Sequence, residues 1–316
     1  MTVFLHKEKI TLPNGLTGMA IEIPTANPLH FYQAISAPAQ VPQTSIHGQL
    51  FVPQTTAELP VVMIVPGSLG IADSHIFKAE LLTNAGIAAF LVDPFGARGV
   101  TSTVANQTQY SFAASAWDVL AAAEVLGSRA EIDASRIGAL GHSRGGSAVL
   151  SAACMQRVTE FRTSLAAVYA AYPWCGQQFL NPQVGTTHVR SVVGDQDEWC
   201  LAQQVQGYMQ AMRLAGGDAS CRIFAGAHHS FDRSTPVELI DDASVAPAAP
   251  TIYIEDSGAC IHPATGRSDS SYSERELLLY GIKAGYGRRG ARIGTQGDQA
   301  QEFNEDMMEY WTRTLG

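Results

Sequence analysis

The stretch ALGHSRGGSAV, residues 139–149, places a serine between glycines where an apolar segment ends. Residues 136–140 have the pattern of a short buried strand, and residues 147–155 are small and apolar, as in a tightly packed helix. Ser143 therefore lies on a predicted strand-to-helix turn. Glycines at such a turn let neighbouring backbone approach closely, so that the serine hydroxyl projects from the sheet. Gly-x-Ser-x-Gly in this context is typical of an activated serine nucleophile.

Strand-like apolar segments alternate with helical segments on both sides of this turn. Upstream, the helical stretch SHIFKAELLTNAG separates apolar runs at 61–65 and 87–92. Downstream, the strand-like segments are SLAAVYAAYP (164–173), HVRSVVG (188–194) and CRIFAG (221–226). This alternation predicts an α/β fold with a doubly wound, mostly parallel sheet and helices on both faces. Ligands bind such sheets at the carboxyl ends of the strands, so polar residues there are candidates for a site.

The composition limits the classes of protein that the chain can be. With 316 residues, 46% of them hydrophobic and 16% charged, it resembles a soluble globular enzyme rather than a disordered protein. A formal net charge of -9 argues against nucleic acid or an anionic membrane as a partner. No apolar run reaches transmembrane length, and the N-terminus lacks a signal-peptide pattern, which predicts a cytoplasmic location.

The cysteines carry little functional information. There are five, and none forms a C-x-x-C motif. Buried thiols are expected, because free cysteine is among the most buried residue types. A bridge between Cys175 and Cys200 is the alternative.

The chain changes character after the segment HHSFDR. Residues 251–263, TIYIEDSGACIHP, predict a hairpin that turns at Asp256-Ser257-Gly258. Phe303, Met307 and Trp311 follow at helical spacing and predict a closing amphipathic helix. We expect a single domain over residues 1–316, with a core at about 46–235 and a C-terminal extension at about 236–316 packed on it.

Acidic and histidine side chains follow two of the downstream strands. A serine hydroxyl needs a base, and the base needs an acid that orients it. Asp195, Asp197 and Glu198 follow one strand, and His228 and His229 follow the next. The chain order serine, acid, histidine is that of the doubly wound hydrolases. The residues themselves leave open which acid and which histidine take part.

Each of these side chains also has a simpler interpretation. The serine at 143 could be a helix N-cap, and the acids could be turn residues or solvated charges. His228, His229 and Asp232 could bind a metal, although their spacing matches no closed ligand set. His142, inside the glycine-flanked turn, is better explained as a packing residue than as a second base.

Four segments together, GHSRGG, GDQDEW, GAHHSF and DPFGARG, resemble the dienelactone hydrolase family of the α/β-hydrolase superfamily. The similarity runs from about residue 46 to residue 233. It implies Asp197 as the acid and His229 as the base, which leaves His228 structural. It also implies that the loop VPGSLG, residues 65–70, carries an oxyanion hole. Backbone N–H groups of Ser68 and of Arg144, directly after the nucleophile, would form that hole.

Two features of the chain differ from the best-known members of that family. Those members use a cysteine nucleophile and a glutamate in the oxyanion loop, whereas this chain has Ser143 and no acid in VPGSLG. The differences are mutually consistent, because a serine is activated by the histidine–aspartate pair alone. The arginines that hold a substrate carboxylate in those members have counterparts in Arg233 and Arg98.

The combined pattern predicts a serine hydrolase that cleaves a small carboxylic ester or lactone through an acyl-enzyme, with a carboxylate-bearing substrate. Neither a cofactor nor a metal is implied, and the expected partner is a small molecule. An amidase or peptidase with the same triad is the alternative within enzymes, and a non-catalytic ligand-binding relative is the alternative outside them. The sequence leaves open whether the chain forms a homo-oligomer.

Overall fold

Residues 4–316 are described by a computed structural model, and their order of elements follows the predicted alternation. The helices are α1 (Phe31–Ser36), α2 (Asp73–Asn84), α3 (Phe112–Gly127), α4 (Arg144–Met155), α5 (Ala202–Leu214), α6 (Glu274–Lys283) and α7 (Gln299–Leu315). The strands are β1 (Met19–Ala26), β2 (Gln43–Phe51), β3 (Leu59–Val65), β4 (Ala88–Asp93), β5 (Ile132–His142), β6 (Ala167–Ala171), β7 (Gln177–Phe179), β8 (His188–Gly194), β9 (Ala219–Phe224), β10 (Glu238–Val245), β11 (Ile252–Ile254), β12 (Cys260–Ile261), β13 (Ser268–Asp269) and β14 (Arg288–Ile293).

The main sheet has eight strands in the order β1-β2-β4-β3-β5-β6-β8-β9. The first three are joined by antiparallel pairing, and the pairs from β4 to β9 are parallel. Every residue of β4 is buried, as expected for a strand covered by helices on both faces. The predicted fold class, a doubly wound and mostly parallel α/β sheet, is confirmed.

The two faces of the sheet are covered by different helices. A Cβ added at Gly138 would meet the indole of Trp311 in α7, and one at Gly141 would meet the backbone of Gly145 in α4. Because residues three apart on a strand point to opposite faces, α4 and α7 lie on opposite sides of the sheet. Helix α3 packs beside α4, and α2 packs beside α7.

The extension adds two small sheets. β10 pairs with β14. The other sheet has the order β13-β12-β11-β7, in which β11 runs parallel to β7 of the core. The predicted hairpin is confirmed, since Ile254 pairs with Cys260 and Gly258 takes the positive φ of 84° that the turn needs. The predicted closing helix is confirmed as α7, whose Phe303 and Trp311 are fully buried.

The cysteines are free thiols, so the Cys175–Cys200 bridge does not form. All except Cys221 are buried. Within residues 4–316, no helix combines the length and the apolar character needed to cross a membrane.

Candidate active site

The turn between β5 and α4 is a strained elbow. Ser143 has φ 53° and ψ -114°, a backbone conformation that a side chain rarely adopts. A Cβ at Gly141 would lie 2.1 Å from the carbonyl oxygen of Gly145, and one at Gly145 would lie 2.3 Å from the carbonyl oxygen of Val65. Both glycines of Gly-x-Ser-x-Gly are therefore required by the close approach of neighbouring backbone.

The hydroxyl of Ser143 is directed at a histidine rather than at its own helix. Its side chain makes no capping hydrogen bond to α4. Instead, Ser143 Oγ lies 2.9 Å from His229 Nε2, and His229 Nδ1 lies 2.7 Å from Asp197 Oδ2. His229 is 3% exposed and Asp197 is 5% exposed. The structure thus joins the predicted serine, histidine and aspartate in one hydrogen-bonded chain.

Backbone contacts orient the carboxylate of Asp197. Its Oδ1 accepts hydrogen bonds from the N–H groups of Trp199 at 2.8 Å and Cys200 at 2.9 Å. These two bonds leave Oδ2 facing the imidazole. The carboxylate is held by groups that cannot rotate away, as an orienting acid requires.

The two competing acids in the same loop face elsewhere. Asp195 accepts a hydrogen bond from the N–H of Gly226 at 2.7 Å. Glu198 accepts from the N–H of Arg292 at 2.9 Å and forms half-exposed ion pairs with Arg288 and Arg292. Neither carboxylate bonds to a histidine.

The adjacent histidines occupy different environments. The ring of His229 stacks on Trp199, with centroids 5.2 Å apart and planes 15° apart, and meets the edge of Tyr172 at 4.7 Å. His228 is half-buried, and its Nδ1 has no partner within residues 4–316. It makes no hydrogen bond to Ser143 or Asp197. Only His229 is placed and braced for proton transfer with the serine.

The predicted oxyanion positions lie beside the serine. A Cβ at Gly67 would come within 3.2 Å of Ser143 Cβ, which places Ser68, the next residue, against the nucleophile. Arg144 is the first residue of α4, so its N–H is one of the helix donors that have no intrahelical acceptor. The helix dipole makes this end favourable for a developing negative charge. Both residues border the same cavity as Ser143.

The side chain of Arg144 has a structural role that the sequence did not reveal. It is buried, and its guanidinium lies 4.3 Å from the ring centroid of Tyr110 and 4.1 Å from that of Phe112. It donates to the carbonyl oxygens of Gln107 and Tyr110 at 3.2 and 2.6 Å. Arg144 therefore ties the loop that precedes α3 to the elbow.

The expectation that Arg98 holds a substrate is corrected by the structure. Its guanidinium donates to both carboxylate oxygens of Asp118, at 2.6 and 3.0 Å, and its Nε donates to Asn27 at 2.7 Å. The side chain is 6% exposed and borders no cavity at Ser143. A buried guanidinium needs a partner, and Asp118 of α3 supplies it.

Arg233 lies at the site, as the resemblance implies. It is half-buried and borders a small cavity together with Ser143 and His229. The adjacent carboxylate, Asp232, is bound by Lys78 at 2.5 Å instead, and no acidic side chain within residues 4–316 forms an ion pair with Arg233. The guanidinium is therefore available to an anion.

Two cavities meet at Ser143. The small one measures about 40 Å³ and is bordered by His229 and Arg233. The large one measures about 380 Å³ and is bordered by Arg144, Trp174 and residues of the extension. The large cavity reaches α6, β10 and β14, whose part in the site no local sequence signal indicated.

Two buried histidines, His75 and His142, border the small cavity, and their burial favours the neutral form. Burial lowers the pKa of His142 to about 3, and burial also lowers the pKa of His75 well below its ordinary value. The two rings pack edge to face, with centroids 4.6 Å apart. His142 makes no hydrogen bond to Ser143, which fits a packing residue rather than a second base.

One cluster of metal-ligating side chains occurs within residues 4–316, and it consists of Asp197, Cys200 and His229. His229 Nδ1 and both oxygens of Asp197 already share hydrogen bonds. These donors fit a hydrogen-bonded triad better than a metal site. The alternative set with Asp232 is not a cluster.

The sheet and the elbow define an α/β-hydrolase. The model of the dienelactone hydrolase family matches residues 46–251, and the chain belongs to this family. It is a hydrolase acting on ester bonds.

Solved structures share the fold at low sequence identity. A dienelactone hydrolase-like promiscuous phosphotriesterase from metagenomic libraries is 14% identical, with a TM-score of 0.56, and the match covers 96% of this chain and 100% of that one. The esterase Est22 is 17% identical, with a TM-score of 0.54, over 69% of this chain and 74% of that one. A search of curated proteins returned no match.

Proposed function

We propose that the protein hydrolyses a small carboxylic ester or lactone through an acyl-enzyme formed on Ser143. The observation that carries this proposal is the pair of hydrogen bonds from Ser143 Oγ to His229 and from His229 to Asp197, 2.9 and 2.7 Å long. A serine hydroxyl is a weak nucleophile at neutral pH and becomes effective when a positioned base removes its proton.

In acylation, Ser143 Oγ attacks the ester carbonyl carbon while His229 Nε2 takes the hydroxyl proton. Asp197 holds the proton on Nδ1 and stabilises the imidazolium that forms. The carbonyl oxygen becomes an oxyanion, which accepts hydrogen bonds from the N–H groups of Ser68 and Arg144. The intermediate then collapses: the bond to the leaving oxygen breaks, and His229 returns its proton to that oxygen.

Deacylation repeats these steps with water as the nucleophile. His229 removes a proton from the water as its oxygen attacks the acyl carbon. Collapse of the second intermediate breaks the bond to Ser143 Oγ, which regains a proton from His229, and the carboxylic acid leaves. A lactone follows the same course, except that its leaving oxygen stays attached to the acyl group.

We further propose that the substrate carries a carboxylate that Arg233 binds. The guanidinium has no acidic partner within residues 4–316 and borders the cavity that contains Ser143 and His229. A guanidinium can bind a carboxylate through two parallel hydrogen bonds. On a chain with a net charge of -9, a cation at the nucleophile also attracts an anionic substrate.

The direct test is covalent labelling of Ser143 by a fluorophosphonate probe, followed by turnover of a panel of small esters, lactones and matched amides. We expect labelling at Ser143, turnover of esters, and loss of both in Ser143→Ala with the fold retained. Folded protein that is neither labelled nor active contradicts the proposal. Labelling with faster turnover of amides than of esters supports the amidase alternative instead.

A further inference from the structure

We propose that the C-terminal extension builds an acyl-binding pocket at Ser143, which selects esters with a bulky, apolar acyl group. This inference rests on the proposed serine-esterase function and assigns the two parts of the substrate to the two cavities. The nucleophile borders both cavities, together with Ser68 and Trp199. An ester bound at Ser143 therefore has one cavity on each side.

The chemistry of the base decides which cavity receives which part. His229 must return its proton to the leaving oxygen, so the leaving group lies on the side of His229. His229 borders the small cavity and not the large one. Arg144, one of the two expected oxyanion donors, borders the large cavity and not the small one. The acyl group therefore extends into the large cavity, while the alcohol part lies beside His229 and Arg233.

The size and the lining of the large cavity identify the kind of acyl group. Its volume of about 380 Å³ is within the range of small-molecule sites, which is roughly 300–1,000 Å³. Phe112 and Trp174 line the side that the core provides. Two arginines also border it, and their guanidinium groups donate to backbone carbonyl oxygens: Arg144 to those of Gln107 and Tyr110, and Arg289 to those of Ala105 and Asp242. A medium-length alkyl or an aryl acyl group fits this lining, and an acetyl group leaves most of it unfilled.

Helix α6 supplies the opposite wall through Leu278, Leu279 and Ile282. Its buried residues, including Leu277, lie on another side of the helix. Ile282 remains 49% exposed. An apolar acyl group in the cavity removes such surface from water, which contributes roughly 25 cal/mol for each Å² buried.

The wall is fixed to the hydrolase core by polar contacts. Glu274, the first residue of α6, accepts hydrogen bonds from the N–H groups of Phe112 at 2.6 Å and Ala113 at 2.9 Å. On the other side, Ser244 N–H donates to the carbonyl oxygen of Val104 at 3.0 Å, and Arg289 donates to that of Ala105 at 3.0 Å. The extension is therefore held against the loop and the helix that complete the cavity.

The test varies the acyl group and the alcohol group separately. In p-nitrophenyl esters from acetate to octanoate, plus benzoate, we expect kcat/KM of the wild-type protein to rise with acyl size. In acetates of alcohols from methyl to octyl, followed by acid release, we expect a much weaker dependence on size. A kcat/KM that is flat across acyl size, or that rises with alcohol size instead, overturns the proposal.

Variants in α6 assign the effect to the extension. Leu278→Trp and Ile282→Trp fill the cavity and should lower kcat/KM for octanoate by roughly tenfold or more relative to acetate, as a lost apolar fit does. Leu214→Trp, at a highly exposed position of α5 away from the site, is the matched control and should leave the acyl-size profile unchanged. An unchanged profile in both α6 variants contradicts the role of the extension.

The outcome also separates this inference from the proposed function. Acetate turnover and fluorophosphonate labelling of Ser143 report on the triad and do not need the large cavity. If the protein hydrolyses acetate and is labelled at Ser143, but kcat/KM does not change with acyl size, only the acyl pocket is rejected. If folded protein shows neither acetate turnover nor labelling of Ser143, the serine-esterase function itself is rejected.

Discussion

The carboxylate of Glu274 accepts a hydrogen bond from the backbone N–H of Phe112 at 2.6 Å, across 162 positions of sequence. The contact joins the first residue of α6 to the first turn of α3. Because N-terminal helix N–H groups lack intrahelical acceptors, a carboxylate there satisfies them and also faces the positive end of the helix dipole. One side chain thus attaches the extension to the core beside the large cavity.

Glu274 makes the stability of the protein depend on pH. Burial raises the pKa of its carboxyl to about 7 in the folded state, against an ordinary value near 4.5. The folded protein therefore binds the proton more tightly than the unfolded chain, and the free energy of unfolding falls as pH rises from about 4.5 to 7. Glu274→Gln should remove this contribution.

The measurement is the Tm of both proteins at pH 5 and pH 8. Other groups titrate in this interval in both proteins, so the difference between their pH slopes reports on Glu274. We expect the wild-type Tm to fall more between the two values than that of the variant. Equal slopes would show that the carboxyl is ionised throughout the interval.

Gly145 tests the strain at the elbow. Gly145→Ala places a Cβ 2.3 Å from the carbonyl oxygen of Val65, so backbone must move. We expect a loss of roughly 2 kcal/mol or more in the free energy of unfolding, measured by urea denaturation, together with lower turnover. The control is Gly207→Ala in the exposed middle of α5, where a Cβ meets nothing within 4 Å. That variant should gain roughly 0.5–1 kcal/mol, because alanine favours a helix over glycine.

The adjacent histidines provide a matched pair of variants. His229→Ala removes the side chain that is bonded to both Ser143 and Asp197, so kcat should fall by roughly three orders of magnitude or more. His228→Ala removes a half-buried ring without such bonds, so its effect should appear in Tm rather than in kcat. Steady-state kinetics on one ester, with circular dichroism of each variant, compares them. A greater loss of kcat in His228→Ala contradicts the assignment of the base.

The acids of the same loop allow a second comparison. Asp197→Asn keeps the shape of the side chain but no longer fixes the imidazole tautomer, and kcat should fall by roughly 10³- to 10⁴-fold. Asp195→Asn alters hydrogen bonds from the N–H of Gly226 and the side-chain amide of Gln196, neither of them part of the triad, and should change kcat far less. The pH dependence of kcat for both variants completes the measurement. Similar losses of kcat in the two variants would contradict the assignment of Asp197 as the acid that orients His229.

Local sequence patterns were sufficient for the sheet and for the elbow. The alternation of apolar strands and amphipathic helices depends on neighbouring residues, and the Gly-x-Ser-x-Gly pattern is itself a short motif. The reason for Gly141 is also local, the backbone of Gly145, whereas the reason for Gly145 is the backbone of Val65 on the paired strand β3. The choice among Asp195, Asp197 and Glu198 could not be made locally. It depends on how the loop directs each carboxylate, and the N–H groups of Trp199 and Cys200 set that direction for Asp197.

Contacts between distant segments explain what the sequence did not reveal. Arg98 lies in a glycine-rich loop after β4, as a substrate-binding arginine would, but Asp118 lies one helix later and binds it. The wall of the large cavity depends on where α6 lies, and Glu274 helps to hold α6 by accepting a hydrogen bond from Phe112. Spacing along the sequence identifies neither the partner of Arg98 nor that of Glu274, because folding brings these segments together.

Variants of Arg233 test the proposal that the substrate carries a carboxylate. Arg233 borders the small cavity together with His229, where we place the leaving group, so the carboxylate of the substrate should belong to the alcohol part. Arg233→Ala should raise KM for an ester of a hydroxy acid by roughly ten- to a hundredfold, which corresponds to a lost charge-assisted hydrogen bond of about 1.5–3 kcal/mol. The corresponding methyl-capped, uncharged ester should change little, and Arg213→Ala, on an exposed turn of α5, should leave both substrates unaffected. Because the attraction is partly screened by salt, the difference between the charged and the neutral ester should narrow as ionic strength rises. Equal losses on both esters in Arg233→Ala would make the guanidinium a structural group and remove the reason for an anionic substrate.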